Sequence, residues 1–521
     1  MSRVVGISTS RLHNFIAFQR DPLQFLVDVL GEGDIVSLRT SSFRPTFIVN
    51  APDVIQEILV AKESYFRKGR SSEVLRRTVG DGLLTAEKEQ HRAQKKYMAP
   101  VFYKERIQNY AQTIAEETEK LAQSLSGGEP LAMHETMMRL TLSIIARSMF
   151  ATELDERKAE LAFAVDDTIR RSAKTLFSPI VLPLAAPTPG NITHRRAIRR
   201  LEDMVYDTIR DAKANPGRYA DCLVGLLLDT KDEAGRPIPD KEIRDQMMTM
   251  LLAGHETTAN ALVWVWYLLS RHPEAAEKLH REIDALAAAE INAHGSGSAD
   301  GSVGGARKGT GVYGGGAGRD GKDGADDSSV ILRDGEERSA LGGESLGGVR
   351  EGAGVAHGGR EAEYGEAGTG LSPFELYRKL TYTQQVVQET LRLYPPAWII
   401  LRESEREVEL LGDVFPPNSS FLISPYAIHR SERVFNDPYS FRPERFAGEE
   451  AAWPRFAYFP FGGGPRGCIG SQFAMMEAVL IIYGLAKHFR FQANAASPPA
   501  IPEPLVSLRV KGGLTLIPQR R

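Results

Sequence analysis

The sequence predicts a mainly α fold with small antiparallel β-sheets (α+β), built round one core. Three observations carry that prediction. Apolar residues recur at helical spacing through most of the chain up to about residue 293, and again towards its end. Short alternating runs rich in β-branched residues occur only near the N-terminus and in the C-terminal part. Between the two helical parts, residues 292–370 follow neither pattern.

Taken in order, residues 34–50 alternate apolar and polar side chains (Ile35, Val36, Leu38, then Thr46, Phe47, Ile48, Val49) and read as a hairpin. Pro52 then opens a helix, where proline is at home in the first turn. Helices are expected over 106–124, 134–150, 159–176, 194–212, 241–271 and 274–287. Pro179, Pro183, Pro187 and Pro189 break 176–190 into a loop. After the interruption, 374–380 and 384–394 are helical, 408–411 and 420–423 are strands, and 471–487 is a long helix. Two C-terminal strands, near 505–510 and 514–517, complete the pattern.

The segment 292–370 holds roughly half of the 48 glycines and no proline, phenylalanine or tryptophan. Ordering its backbone would cost about 1–2 kcal/mol per residue, with too little apolar area to offset that. It reads as a flexible insertion, dividing one domain into parts 1–291 and 371–521. A glycine-rich phosphate loop would need a strand before it and a helix after it, and neither is evident.

Hydrophobic content of 42% and charged content of 25% are those of a soluble globular protein. A net charge of −3 gives no reason to expect nucleic acid as a partner. Arg195, Arg196, Arg199 and Arg200 cluster, and a solvated helix face explains them. The N-terminus has no signal-like apolar stretch, and 474–489 is shorter than a membrane span and carries Glu477. We expect a cytoplasmic protein with no membrane anchor.

Two cysteines, Cys222 and Cys468, argue against a disulfide framework and fit a reducing compartment. Cys222 lies in a helix-like apolar run and reads as a small buried hydrophobe. Cys468 sits in Phe459-Pro460-Phe461-Gly462-Gly463-Gly464-Pro465-Arg466-Gly467-Cys468-Ile469-Gly470, just before an apolar helix. So many glycines are costly in entropy and make sense where a backbone must approach something large and flat. Free N–H groups and the helix dipole would lower the thiol pKa there. Zinc wants several protein ligands, so one thiolate does not suit it. A haem iron takes a single axial thiolate. A nucleophilic cysteine would want a histidine partner, and His488 lies at the far end of the following helix.

Phe461-Gly462-x-Gly464-x-Arg466-x-Cys468-x-Gly470 resembles the haem-binding signature of the cytochrome P450 family at every fixed position. The resemblance implies the cytochrome P450 fold, haem b (iron protoporphyrin IX) as cofactor, and Cys468 as the axial ligand of its iron. Further motifs follow in the family's order. Ala253-Gly254-His255-Glu256-Thr257-Thr258 lies mid-helix, with a glycine that permits close approach, an acid and a hydroxyl. Activating dioxygen requires protons and a pocket that excludes water. The resemblance implies that Thr257 holds the oxygen and water network while Glu256 relays protons; the family pattern does not fix His255.

Glu389-Thr390-Leu391-Arg392 resembles the family's E-x-x-R, and Arg445 in Phe441–Phe446 resembles the arginine set against that pair. Their implied role is structural: to hold the loop before Cys468. His91 and Lys95, one helical turn apart, match the stretch that meets the haem propionates. Arginine is usual in place of Lys95, which offers a point charge instead of a bidentate fork. Arg402 and Arg466 complete the implied propionate partners. The resemblance runs from about residue 34 to 517, apart from the insertion.

Residues 70–85, Ala253 and 396–400 match segments that line the family's distal pocket, and 176–190 its mobile lid. Their apolar content implies a lipophilic substrate such as a fatty acid, terpenoid or polyketide. With no flavin domain and no dinucleotide fingerprint in the chain, electrons must come from a separate donor, a ferredoxin or flavodoxin with its reductase. The expected enzyme is a monomeric monooxygenase that uses O2 to hydroxylate or epoxidise its substrate. A peroxide-using peroxygenase or isomerase is one rival, and Glu256 with Thr257 weighs against it. A non-enzymatic haem gas-binding protein is another, for which a proton-delivery pair would be pointless.

Overall fold

The structure, a computed structural model, describes residues 3–38, 45–152, 158–177, 183–232, 234–295, 371–448, 452–494 and 498–521. The chain divides into two compact units, Met1–Glu290 with Leu371–Arg521, and Ile291–Gly370. From residue 296 onward the expected insertion lies outside the described residues.

Helices follow the apolar periodicity: Lys104–Ser124, Met133–Phe150, Lys158–Phe177, Asp240–Arg271, Thr381–Leu393 and Ser471–Ala486 all stand where that spacing places them. The helix expected over 194–212 starts earlier, at Pro189. Proline fills its first position, where the lost N–H has no intrahelical partner anyway, and Thr188 Oγ1 accepts the Asn191 N–H at 3.1 Å. Pro189 is therefore a helix start and not a loop breaker.

Asp240–Arg271, buried along most of its length, is the spine of a large apolar core. Trp264 stacks on Tyr394, just past Thr381–Leu393, with ring centroids 3.8 Å apart. Gly254 lets the spine close on Met133–Phe150: a Cβ there would lie 3.1 Å from Ile145 Cδ1. In the post-cysteine helix Ser471–Ala486, apolar residues fill nearly every face, which suits a helix enclosed on all sides.

The expected hairpin is present, Ile35–Ser37 pairing antiparallel with Thr46–Val49. It belongs, however, to a mixed sheet in the order Val4–Gly6, Ile35–Ser37, Thr46–Val49, Ser420–Ile423, Ile400–Ser404, Phe66–Arg67. Val4–Gly6 with Ile35–Ser37, and Thr46–Val49 with Ser420–Ile423, are parallel pairs. Parallel pairing of segments far apart in the chain leaves no local turn signal to read. The smaller sheets are antiparallel: Phe489–Ala493 and Leu131–Ala132 flank Thr515–Arg520, Pro502–Pro504 pairs with Leu508–Val510, and Val408–Leu410 with Asp413–Phe415. Among the described residues no helix is long and apolar enough to cross a membrane.

Candidate active site

The loop before Ser471–Ala486 is fixed by its own backbone. Gly462 N–H donates to Phe459 O, Gly467 N–H to Gly464 O, and Cys468 N–H to Phe461 O, at 2.9–3.0 Å. Gly464 has φ +68°, and a Cβ there would lie 2.0 Å from Leu59 O, so no side chain fits. Phe461 is half-buried and packs on the main core. Cys468 is surrounded by protein, yet its thiol stays accessible. One expectation is corrected: burial pushes the thiol above its ordinary value, and the Gly470 amide and Lys95 ammonium draw it only part of the way back. Cys222, in contrast, is buried and donates to Tyr219 O at 3.2 Å, a core thiol as expected.

Behind this loop stands the carboxylate node. Glu389 and Arg392, both fully buried, form a bidentate pair at 2.7 and 2.8 Å. Arg445 approaches the same carboxylate at 3.4 Å. The spare guanidinium protons go to carbonyls of His429, Pro438, Ser440, Asn436 and Asp437, so the node gathers 429–445 around it. His429, which the sequence did not single out, joins node to loop. Its Nε2 accepts the Phe459 N–H at 3.0 Å, which leaves Nδ1–H to donate to Arg392 O at 3.2 Å. Burial lowers its pKa to about 3 and keeps it neutral.

A cationic cluster flanks the loop. Lys95 Nζ donates to Pro465 O at 2.7 Å, and burial lowers its pKa. Arg466 is held by Glu63, by Glu87 at 2.9 Å and by Phe66 O at 2.9 Å. Arg402 donates to Leu401 O, but its buried Nε has no partner among the described residues. Burial, then the neighbouring Arg466, lowers the Arg402 pKa to about 10. His91 is buried, its pKa lowered to about 3 by burial and then by Lys68, Arg466, Lys95 and Arg402. Lys68 also belongs here: burial lowers its pKa to about 7 despite Glu87. No motif pointed to Lys68, whose place is set by the turn before Arg70–Val79.

Mid-spine, Ala253, Gly254 and Thr257 form an accessible stripe, while the rest of 250–258 is buried. The Thr257 hydroxyl donates to Ala253 O at 2.8 Å. Glu256 turns away from the stripe into a polar network. Its Oε1 accepts from Ser507 Oγ at 2.6 Å, Asn260 Nδ2 at 3.2 Å and Arg509 at 3.2 Å. Burial raises its pKa and Arg509 opposes the rise. Arg509 also binds Asp166, on Lys158–Phe177, at 2.8 Å. His255 is core, its Nδ1 against Leu251 O and its Nε2 without a partner among the described residues. Of the segments expected to line a pocket, 396–400 turns Trp398 fully inward, its indole N–H donating to Leu505 O at 2.9 Å. Ser507, Arg509 and Asp166 carry no motif, and only their convergence in space reveals them.

An accessible lone thiol on a close-approach loop, beside clustered cations with an orphaned guanidinium nitrogen, fits a haem with its two acidic propionates. The sequence model of the cytochrome P450 family matches residues 12–292 and 372–516. Cyclooctatin synthase of Streptomyces melanosporofaciens is 31% identical, over 96% of this chain and 92% of its own. Cyclooctat-9-en-7-ol 5-monooxygenase of the same organism is 29% identical over 93% and 88%. Pentalenene oxygenase of Streptomyces avermitilis is 26% identical over 90% and 87%. The loop, the fold and these relatives agree: the chain belongs to the cytochrome P450 family, a haem-dependent monooxygenase of lipophilic small molecules that takes O2 and electrons from a redox partner.

Proposed function

We propose that this enzyme hydroxylates or epoxidises a terpenoid, with Cys468 as the axial ligand of haem b. The accessible Cys468 thiol in its glycine loop carries the reading of the haem site. The substrate class rests on the relatives, whose names specify cyclooctat-9-en-7-ol and pentalenene. Haem b is favoured because both cysteines are otherwise accounted for, which leaves none for thioether links.

Cys468 would hold the iron, with Phe461 backing the loop. Arg402, His91, Lys95 and Arg466 would meet the propionates, Arg402 with its unpartnered Nε first. Bound there, haem supplies the redox-active iron that activates dioxygen. Thr257, on the accessible stripe, turns its hydroxyl from Ala253 O towards the pocket and orders water there. Glu256 passes protons to it, fed from the Arg509–Asp166 side of its network. Electrons come from a separate ferredoxin or flavodoxin with its reductase. The enzyme acts as a cytoplasmic monomer.

The test is turnover of a terpene panel by the haem-loaded enzyme with a surrogate ferredoxin, its reductase, NADPH and labelled O2. Label in the product is expected. Oxidation with hydrogen peroxide alone, and none with NADPH and O2, would establish a peroxygenase instead.

A further inference from the structure

Glu477 stands nine residues past Cys468 on the helix Ser471–Ala486, and has no part in the loop, the node or the cationic cluster. Its side chain is fully buried. The helices Lys104–Ser124, Asp240–Arg271, Pro373–Lys379 and Thr381–Leu393 and the strand Phe489–Ala493 pack against its helix. Buried charges on these elements are engaged elsewhere: Glu117 with Lys120 and Arg147, Arg244 with Asp245 and Glu202, Glu256 with Arg509, Glu389 with Arg392. Among the described residues none of them shifts the Glu477 carboxyl; burial does, and only the Thr258 hydroxyl opposes it. With its pKa lifted to about 8, the carboxyl is uncharged near neutral pH, and its acid O–H needs an acceptor.

Thr258, buried on the spine next to Thr257, supplies one. Its own hydroxyl proton goes back to Gly254 O, one turn earlier, at 3.3 Å, which leaves Oγ1 able to accept. Gly254 belongs to the accessible stripe with Ala253 and Thr257, and Thr257 bonds back to Ala253 O in the same way. Threonines that bond back to the preceding turn bend a helix slightly. Two adjacent carbonyls of the stripe are thus each set by a threonine, and a chain of donors runs from Glu477 through Thr258 to the second. Ionisation reverses that chain. A carboxylate has no proton to give, so it draws the Thr258 hydroxyl to itself and away from Gly254 O, while its own proton leaves to solvent.

We propose that Glu477 is a positioning residue for the haem-facing stripe: its neutral carboxyl donates to Thr258 Oγ1, and Thr258 thereby holds the Gly254 carbonyl beside Thr257. This rests on the reading of Ala253, Gly254 and Thr257 as the distal wall of the haem pocket. The helix after the cysteine and the distal wall are then joined by a side-chain contact that bypasses the haem.

The C–O stretching band of the reduced carbonyl complex reports the distal wall without turnover. It is followed in the haem-loaded full chain between about pH 6 and 10. The wild type should give one band at low pH and a second that replaces it with a midpoint near 8. Glu477→Gln, whose amide donates but does not ionise, should keep the first band throughout. Thr258→Val should give a displaced band that does not change with pH. Thr257→Ala reports on the pocket itself and should move the band at every pH; if it does not, the stripe is not the distal wall and the inference falls with that reading. If it does, a wild-type band constant over the range, or Glu477→Gln titrating like the wild type, overturns the role of Glu477 alone. Urea denaturation at neutral pH tests the contact independently of haem chemistry. Glu477→Leu and Thr258→Val together should destabilise by less than the sum of their separate losses, and additive losses overturn the proposal.

Discussion

Around Cys468, residues 459–470 hold one another through adjacent backbone hydrogen bonds, and glycine is required where the loop presses on Leu59 O. Around Glu256, the Asp240–Arg271 spine, the Leu508–Val510 strand and the Lys158–Phe177 helix each contribute one or two side chains. The first site is local in sequence and made of backbone shape. The second is assembled at long range and made of paired charge. Local shape writes itself into a motif; long-range charge pairing does not.

Each region also holds a buried carboxyl, and the two are treated oppositely. Glu256 has Arg509, Ser507 and Asn260. Glu477, on the helix after Cys468, is fully buried, and among the described residues no cation faces it and only the Thr258 hydroxyl comes near its carboxyl. Burial lifts its pKa from 4.5 to about 8, with the nearby Thr258 hydroxyl opposing the rise. Burial raises both carboxyls, but at Glu256 the Arg509 guanidinium opposes the rise, while Glu477, with no cation beside it, stays protonated near neutral pH.

Glu389→Leu strands Arg392 in the core beneath the cysteine loop and should cost about 3–5 kcal/mol in chemical denaturation. A loss below about 1 kcal/mol would mean the node does not support the loop. Glu477→Gln acts the other way. Because the folded-state pKa is raised, the protonated Glu477 side chain contributes stability that is full below about 4.5 and is lost as pH rises through about 8. The variant should flatten that part of the stability-against-pH curve, adding a few kcal/mol at pH 8. An unchanged slope would show that the carboxyl is solvated after all.

Gly464→Ala forces a side chain into the left-handed region and onto Leu59 O, at a cost of about 1–3 kcal/mol. Faster haem transfer to an acceptor globin should report it, and an unaltered transfer rate would contradict the close approach. Arg509→Gln should leave the haem spectrum untouched while lowering product formed per NADPH by about tenfold, a modest share of what general acid–base catalysis supplies. Full coupling in that variant would remove the relay role from the Glu256 network.

Much of the fold was legible because apolar spacing records buried helix faces; 471–487 and 241–271 needed almost no adjustment. Pro189 misled because the same residue ends one element and starts another, and only the Thr188 cap tells which. The mixed sheet was illegible, since Thr46–Val49 and Ser420–Ile423 meet across most of the chain. In the site, Cys468, Arg466 and Phe461 were visible as one motif. Lys68, His429 and Arg509 were not, because each owes its role to neighbours distant in sequence. Helix polarity alone also overstated the ease of ionising Cys468: desolvation is the larger effect.

The proposed chemistry depends on Cys468 as the thiolate ligand of a haem. The most direct measurement is the absorption spectrum of the reduced carbonyl complex, wild type against Cys468→Ser. A Cys468 thiolate gives the wild type a red-shifted Soret band that is absent from the variant. The same band in both proteins would contradict it.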